Sequence, residues 1–343
     1  MVRRRARTAG LFAGGIALFA YALWPWTPMA KEGRPPRTIV FYGFSILGEA
    51  INKGVFPDFQ RRWREARGEH IELVSSFAGS GTITNQVILG VPAHLALLSL
   101  ELDADKLAEA GVLRSGSWKS FPFQGVVNRT PFVILVRPGN PKGIHGFADL
   151  GRPGVRVVHP DPMTSGGANW AIVAEYGAGA RNAADPASAG HAMLLGVWKN
   201  VVAQAASARA ARTQFENGFG DALVTYEQEA IFDLSRGKLE GEVVYPRSTV
   251  LSEHTLVRVE RNVSRRDRDL VDAFAAFLFS EEAQQIFVRY GFRSVLEPLN
   301  AANPAFGAIE DPFRIGDVGG WKRAKREIVE DVWKKRVLEE IKK

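Results

Sequence analysis

"IELVSSFAGSGTITNQVILG", residues 71 to 90, is the stretch on which the fold reading turns. Its opening run is apolar and β-branched and has the length of a strand. Gly79-Ser80-Gly81 then make a turn, and Ile83, Val87 and Ile88 recur at helical spacing. Just upstream, "IVFYGF" (39–44) reads as a buried strand. A helix follows from about Ile46 to Ala66, where Leu47, Ile51, Phe56, Phe59 and Trp63 form an apolar stripe. The order βαβα predicts an α/β fold in which helices flank a mainly parallel sheet.

The same grammar continues outward. "AHLALLSLELDADKLAEAGVL" (93–113) is a buried run followed by a charged helix, and strands at 131–137 and 155–159 bracket a short helix at 145–150. A helix begins near Gly167, another covers 188–200, and 203–217 is a polar, alanine-rich stretch. "DALVTYEQEA" and "TLVRVER" read as strands. The helix at 267–289 turns Leu270, Phe274, Phe277 and Leu278 inward, and Trp321, Ala324, Ile328 and Val332 give the C-terminal helix a docking face. No internal repeat is evident.

At 343 residues the chain is long enough for two domains, each with its own core. Its formal charge of +7 suggests nucleic acid until the positions are read. Arg3, Arg4, Arg5 and Arg7 carry four of those charges, and the segment 322–343 nets four more, which leaves about −1 between them. The folded middle therefore has no basic stripe with which to read DNA or RNA.

Cysteine is absent, so disulfides, thiolate metal sites and thiol nucleophiles are excluded. Residues 1–30 have the form of an export signal, a basic start followed by an apolar run. Ala20-Tyr21-Ala22 fits a cleavage site, yet the uncharged run 8–30 is also long enough to anchor the chain in the inner membrane. Both readings place the chain from about residue 35 outside the cytoplasmic membrane, since the arginines stay inside. Residues 31–38 are a polar linker.

Three predicted helices begin on small residues: Gly79-Ser80-Gly81, then Thr164-Ser165-Gly166-Gly167-Ala168, then Ser207-Ala208. A helix start exposes up to four N–H groups without internal partners and carries about half a positive charge. Such ends hold anions without any lysine. Hydrogen bonds to a charged partner contribute about 1.5–3 kcal/mol each, so several converging on one dianion offset much of its desolvation.

Catalysis is poorly supported. Neither Ser80 nor Ser165 lies in Gly-x-Ser-x-Gly, and no lysine follows the glycine turn as in a nucleotide-binding loop. The six histidines, at 70, 94, 145, 159, 191 and 254, form no metal-binding pair.

Five segments together resemble the periplasmic sulfate and thiosulfate binding proteins of ABC importers. They are "GSGTITNQVILG", "LVRPGNPKGIHGFADLGRPGVRVVHPDPMTSGGANW", "FENGFGDALVTYEQEA", "SEEAQQIFVRYGFR" and "VGGWKRAKREI", and they run through nearly all of the chain after residue 37. "FAGSGT" and "VPAHLAL" resemble molybdate binders more faintly. The resemblance implies a two-lobed periplasmic-binding-protein fold of type II, a monomer that closes around a tetrahedral oxyanion and passes it to a membrane permease. It also implies chain crossings near 130 and 250, with residues 37–130 plus 250–343 in one lobe and 131–249 in the other.

In that family the dehydrated anion is held by main-chain N–H groups, a serine hydroxyl and an indole N–H. Carried onto this chain, the resemblance implies ligand contacts at Ser80, at Ser165, Gly166 and Gly167, and at Ala208. Gly43 and Ser45 stand where sulfate binders have tyrosine-aspartate-proline, so an aspartate is missing while the main-chain N–H remains. Tyr226 replaces the indole donor, and a phenol both donates and accepts. No catalytic residue, metal or cofactor is implied. The alternatives are a molybdate or sulfonate binder, or a membrane-tethered sensor on the same scaffold.

Overall fold

The computed structural model describes residues 35–342; the leader or anchor expected at 1–30 and much of the linker lie outside the described residues. Among the described residues no helix is long and apolar enough to cross a membrane.

Strand β1 (Arg37–Phe44) buries Ile39 and Phe41 and leads into a helical stretch that becomes regular only at α1 (Phe56–Arg67). Before it, residues Ile51–Val55 form a wider π-type turn. Two residues account for the widening. Pro57 lacks the N–H that a regular turn would use, and Gly54 lies so close to α9 (Glu281–Arg289) that an added Cβ would fall 2.5 Å from the Ile286 side chain. Gly68, at φ 64°, ends α1.

Strand β2 (Ile71–Ala78) turns at Gly79 into α2 (Ser80–Ile88), as its sequence predicts. Strand β3 (Leu95–Leu98), buried at every residue, precedes α3 (Glu101–Glu109). Then come β4 (Val126–Val136), β5 (Val157–Pro160), α4 (Gly166–Ala180) and α5 (Pro186–Lys199).

The polar 203–217 stretch resolves into the end of β6 (Val201–Ala205) and α6 (Ala208–Glu216). "DALVTYEQEA" is a strand only as far as β7 (Ala222–Tyr226); α7 (Glu227–Leu234) starts inside it. After β8 (Glu242–Val244) and β9 (Ser248–Arg258), the helix expected at 267–289 is two helices, α8 (Arg268–Phe277) and α9. Ser280 divides them by capping α9, its hydroxyl accepting from the Ala283 N–H. Strands β10 (Arg293–Ser294) and β11 (Asp311–Phe313) precede the C-terminal helix, which runs from Gly320 to Lys342 with a π-type middle at Lys325–Val337.

The sheet order is β2-β1-β3-β9-β4-β7-β5-β6, with β8 and β10 on β4 and β11 on β9. The class is the two-lobed α/β class expected, and its sheet is mixed. Strands β1 and β3 pair in parallel, as do β5 with β6 and with β7. The antiparallel pairs centre on β4 and β9. The first part of β4 pairs with β9, while Phe132–Val136 pairs with β7. β4 and β9 run antiparallel to one another.

The C-terminal helix docks mainly on α4 and α5, elements of the 131–249 segment. Trp321 meets Trp170 edge-on at 4.4 Å and Trp333 meets Trp198 at 4.9 Å. Its apolar face was legible; the surface that face would cover was not.

Candidate functional site

The starts of α2, α4 and α6 are brought to one place. Gly79, buried ahead of α2, lies so close to the strand-to-helix connections after β5 and β6 that an added Cβ would stand 2.5 Å from the Thr164 carbonyl oxygen and 2.6 Å from that of Ala206. At the start of α4, a Cβ on Gly166 would meet Ser99 Oγ at 2.7 Å, and one on Gly167 would meet the Tyr226 phenol oxygen at 2.9 Å. Glycine fits at Gly79 because main-chain carbonyls crowd it, and at Gly166 and Gly167 because the Leu100, Ser99 and Tyr226 side chains leave no room for a Cβ.

The three serines are used differently. Ser207 caps α6, accepting from the Ala210 N–H at 3.1 Å. Ser165 stands at the equivalent position of α4 and is buried, yet its hydroxyl makes no capping bond. Ser80 is committed within its own lobe, donating to Asp103 Oδ2 at 2.6 Å and accepting from the Ser99 N–H at 3.0 Å. Its single hydroxyl hydrogen is spent on Asp103, so what α2 has to offer an anion is its main-chain N–H groups.

Ser99 is the residue that sequence reasoning missed. Its Oγ lies 2.8 Å from the Tyr226 phenol oxygen, its N–H meets Ser80, and its carbonyl accepts from the Trp170 indole at 2.7 Å. One residue after β3 thereby ties α2 to β7 and α4. Nothing in its local pattern marks it, since "LLSLEL" reads as an ordinary strand-to-helix connection.

Tyr226 ends β7, 1% exposed, packed on Phe44 and Phe132. Burial pushes its phenol well above the ordinary value; the hydrogen bond with Ser99 opposes this, and the Asp103 and Glu229 charges add smaller pushes upward. It is therefore a neutral hydroxyl. Gly43 is buried opposite Leu97 of β3, with the Phe77 ring 2.8 Å from where its Cβ would lie, and the half-buried Ser45 opens the helical turn that follows. The residues expected at the site, Gly43, Ser45, Ser80, Ser165, Gly166, Gly167, Ala208 and Tyr226, lie at strand ends or helix starts.

The charges near the junction are paired with each other. Arg209, second residue of α6, binds the buried Glu229 through Nε at 2.8 Å and Glu49, in the helical turn after β1, through both terminal nitrogens, at 3.1 and 2.9 Å. Burial alone would raise the Glu49 pKa, but the hydrogen bonds and charge of Arg209 outweigh it and hold that pKa below its ordinary value. Arg209 is thereby neutralised by its two carboxylate partners. Among the described residues no group of three or more histidine or acidic side chains could hold a metal.

Comparisons with known proteins identify the family. The sulfate-binding protein of Synechococcus elongatus is 30% identical over 88% of this chain and 85% of its own. The thiosulfate-binding protein of Pseudomonas aeruginosa is 33% identical over 82% of each chain. The solved structure of the sulfate-binding protein SubI from Mycobacterium tuberculosis matches with a TM-score of 0.77 at 29% identity, covering 85% of this chain and 99% of that one. The model for bacterial extracellular solute-binding proteins matches residues 49–293, and the chain belongs to that family.

Proposed function

We propose that this protein is the exported receptor of an ABC importer and that it closes two lobes around a tetrahedral oxyanion, sulfate or thiosulfate, for delivery to a membrane permease. The observation that carries the reading is the meeting of three helix starts, those of α2, α4 and α6, at glycines where no side chain fits. The names of the relatives supply the anion class.

In this reading the N–H groups at Gly166, Gly167 and Ala208, with those at the start of α2 and at Gly43 and Ser45, replace the anion's water. Ser165 adds a hydroxyl that its helix does not use. Residues 37–130 with the following part of 250–343 form one lobe, and 131–249 with the C-terminal helix form the other. Binding energy is converted into closure because the donors converge only when the lobes meet. The site binds and does not catalyse: the Ser80 hydroxyl is held by a carboxylate, with no imidazole to take its proton.

Calorimetric titration of the purified chain with sulfate, thiosulfate and molybdate tests the reading. Sulfate or thiosulfate is expected to bind in the micromolar range or tighter. Heat from molybdate alone would move the anion class, and silence with all three would end the proposal.

A further inference from the structure

Between α7 and α9 lie two adjoining cavities, of about 430 and 360 Å³, that share Phe232, Ser235 and Arg289. None of their lining residues belongs to the junction of helix starts. Each volume falls within the range of about 300–1,000 Å³ that small-molecule sites occupy. The two cavities differ in chemistry, and the difference follows from which polar groups are already used.

The larger is walled by the apolar side chains of Ile231, Phe232, Val288, Leu299 and Ala302. The polar groups among them are turned to the protein. Ser235 Oγ donates to the Phe232 carbonyl at 3.0 Å, and the Gln285 amide donates to Glu281 at 3.1 Å. The Asn303 side chain donates to the Val288 carbonyl at 2.9 Å and accepts from the Ala305 N–H at 3.0 Å. What remains for an occupant is apolar wall and, at the shared edge, the Arg289 guanidinium.

The smaller cavity adds Lys53 and Arg236. Arg236 lies over the Phe232 ring, 4.8 Å from its centre. The one carboxylate on this wall, Asp58, is taken by Arg61 at 3.2 Å. Among the described residues Arg236 and Arg289 have no carboxylate partner. Arg293 of β10 shows the contrast, since the buried Glu227 accepts from it at 2.6 Å. The groove thus sets uncompensated positive charge beside an apolar hollow. An inorganic dianion would meet the charge and leave the hollow to water; a neutral apolar molecule would fill the hollow and leave the guanidinium unused.

We propose that this groove is a second ligand site, for a small carboxylate with a compact apolar body. The body fills the larger cavity and the carboxylate meets Arg289, whose planar fork accommodates both oxygens. Arg236 and Lys53 add charge from the smaller cavity. The inference stands apart from the oxyanion reading, because the two sites share no residue.

The test is titration calorimetry on the full chain with phenylpropionate, and with propionate and phenylpropanol, which each keep one half of that probe. It is repeated on Arg289→Gln and Ala302→Trp, both at exposed positions, with thermal unfolding to confirm that each variant folds. Phenylpropionate is expected to bind with a Kd below about 1 mM, and each half-probe at least about tenfold more weakly. Arg289→Gln should cost phenylpropionate about tenfold while leaving phenylpropanol unchanged, a split that a loss of fold would not give. Ala302→Trp fills the hollow and should abolish binding. Absence of phenylpropionate binding by the wild type at about 10 mM would overturn the inference. So would equal affinity for acid and alcohol, or unchanged affinity in both variants.

Discussion

Arg209 holds both carboxylate oxygens of Glu49 with its two terminal nitrogens, and so joins the start of α6 to the helical turn after β1. Glu229, fully buried behind it, fixes the guanidinium from the other side. The bridge crosses the junction that an anion would occupy. Glu49→Gln should therefore leave the chain folded and speed anion release, by about tenfold, with little change in association rate. Stopped-flow measurement of both rates decides it; an unchanged release rate would show that the bridge does not hold the closed form.

The same pair gives the closed form a pH dependence of known sign. Because the folded structure holds Glu49 below its ordinary value of 4.5, its contribution is complete above that value and is lost as pH falls through the lower one. Release in the wild type should accelerate on acidification below about pH 4.5, and Glu49→Gln should remove that part of the acceleration.

Ala208 is the first residue of α6, where a helix tolerates proline because that N–H has no internal partner. Ser207 before it is already extended, at φ −155° and ψ 164°, which proline demands of its neighbour. Ala208→Pro should thus fold normally and weaken anion binding by about 1.5–3 kcal/mol, the worth of one hydrogen bond to a charge. Wild-type affinity in a folded variant would remove Ala208 from the site.

Gly79→Ala asks whether closure needs the bare main chain. In the structure the added methyl would collide with the Thr164 and Ala206 carbonyls, and under the proposed closure this contact forms only when the lobes meet. Affinity is expected to fall by more than about tenfold with the melting temperature of the unliganded protein kept, a result read by titration beside thermal unfolding.

His254 lies buried where β4 and β9 cross, bonded to Asn128 and Ser252 and packed on Phe44. Desolvation holds its pKa down to about 3, against 6.5 unfolded. Between those values the unfolded chain takes up a proton that the fold excludes, so stability is full above pH 6.5 and falls on acidification by up to about 1.4 kcal/mol per pH unit. His254→Gln should flatten that slope in denaturant titrations, whatever its effect at neutral pH.

The strand, glycine turn and helix of residues 71–90 were legible because their information is local. Hydrophobic period, glycine and a missing lysine identify a helix start that can face an anion, and the separation of charge to the two ends argued against nucleic acid without any coordinates. The same local signals marked Ser165, Gly166, Gly167 and Ala208. The tertiary structure alone decided which groups meet. It showed that the Ser80 hydroxyl is spent on Asp103, that Ser99 faces Tyr226 from 127 positions away, and that Arg209 is neutralised by Glu49 from 160 positions away. It also placed the C-terminal tryptophans on α4 and α5. Periodicity reports which face of an element is apolar, but hydrogen-bond pairing and ion pairing across a chain depend on distances that only packing sets.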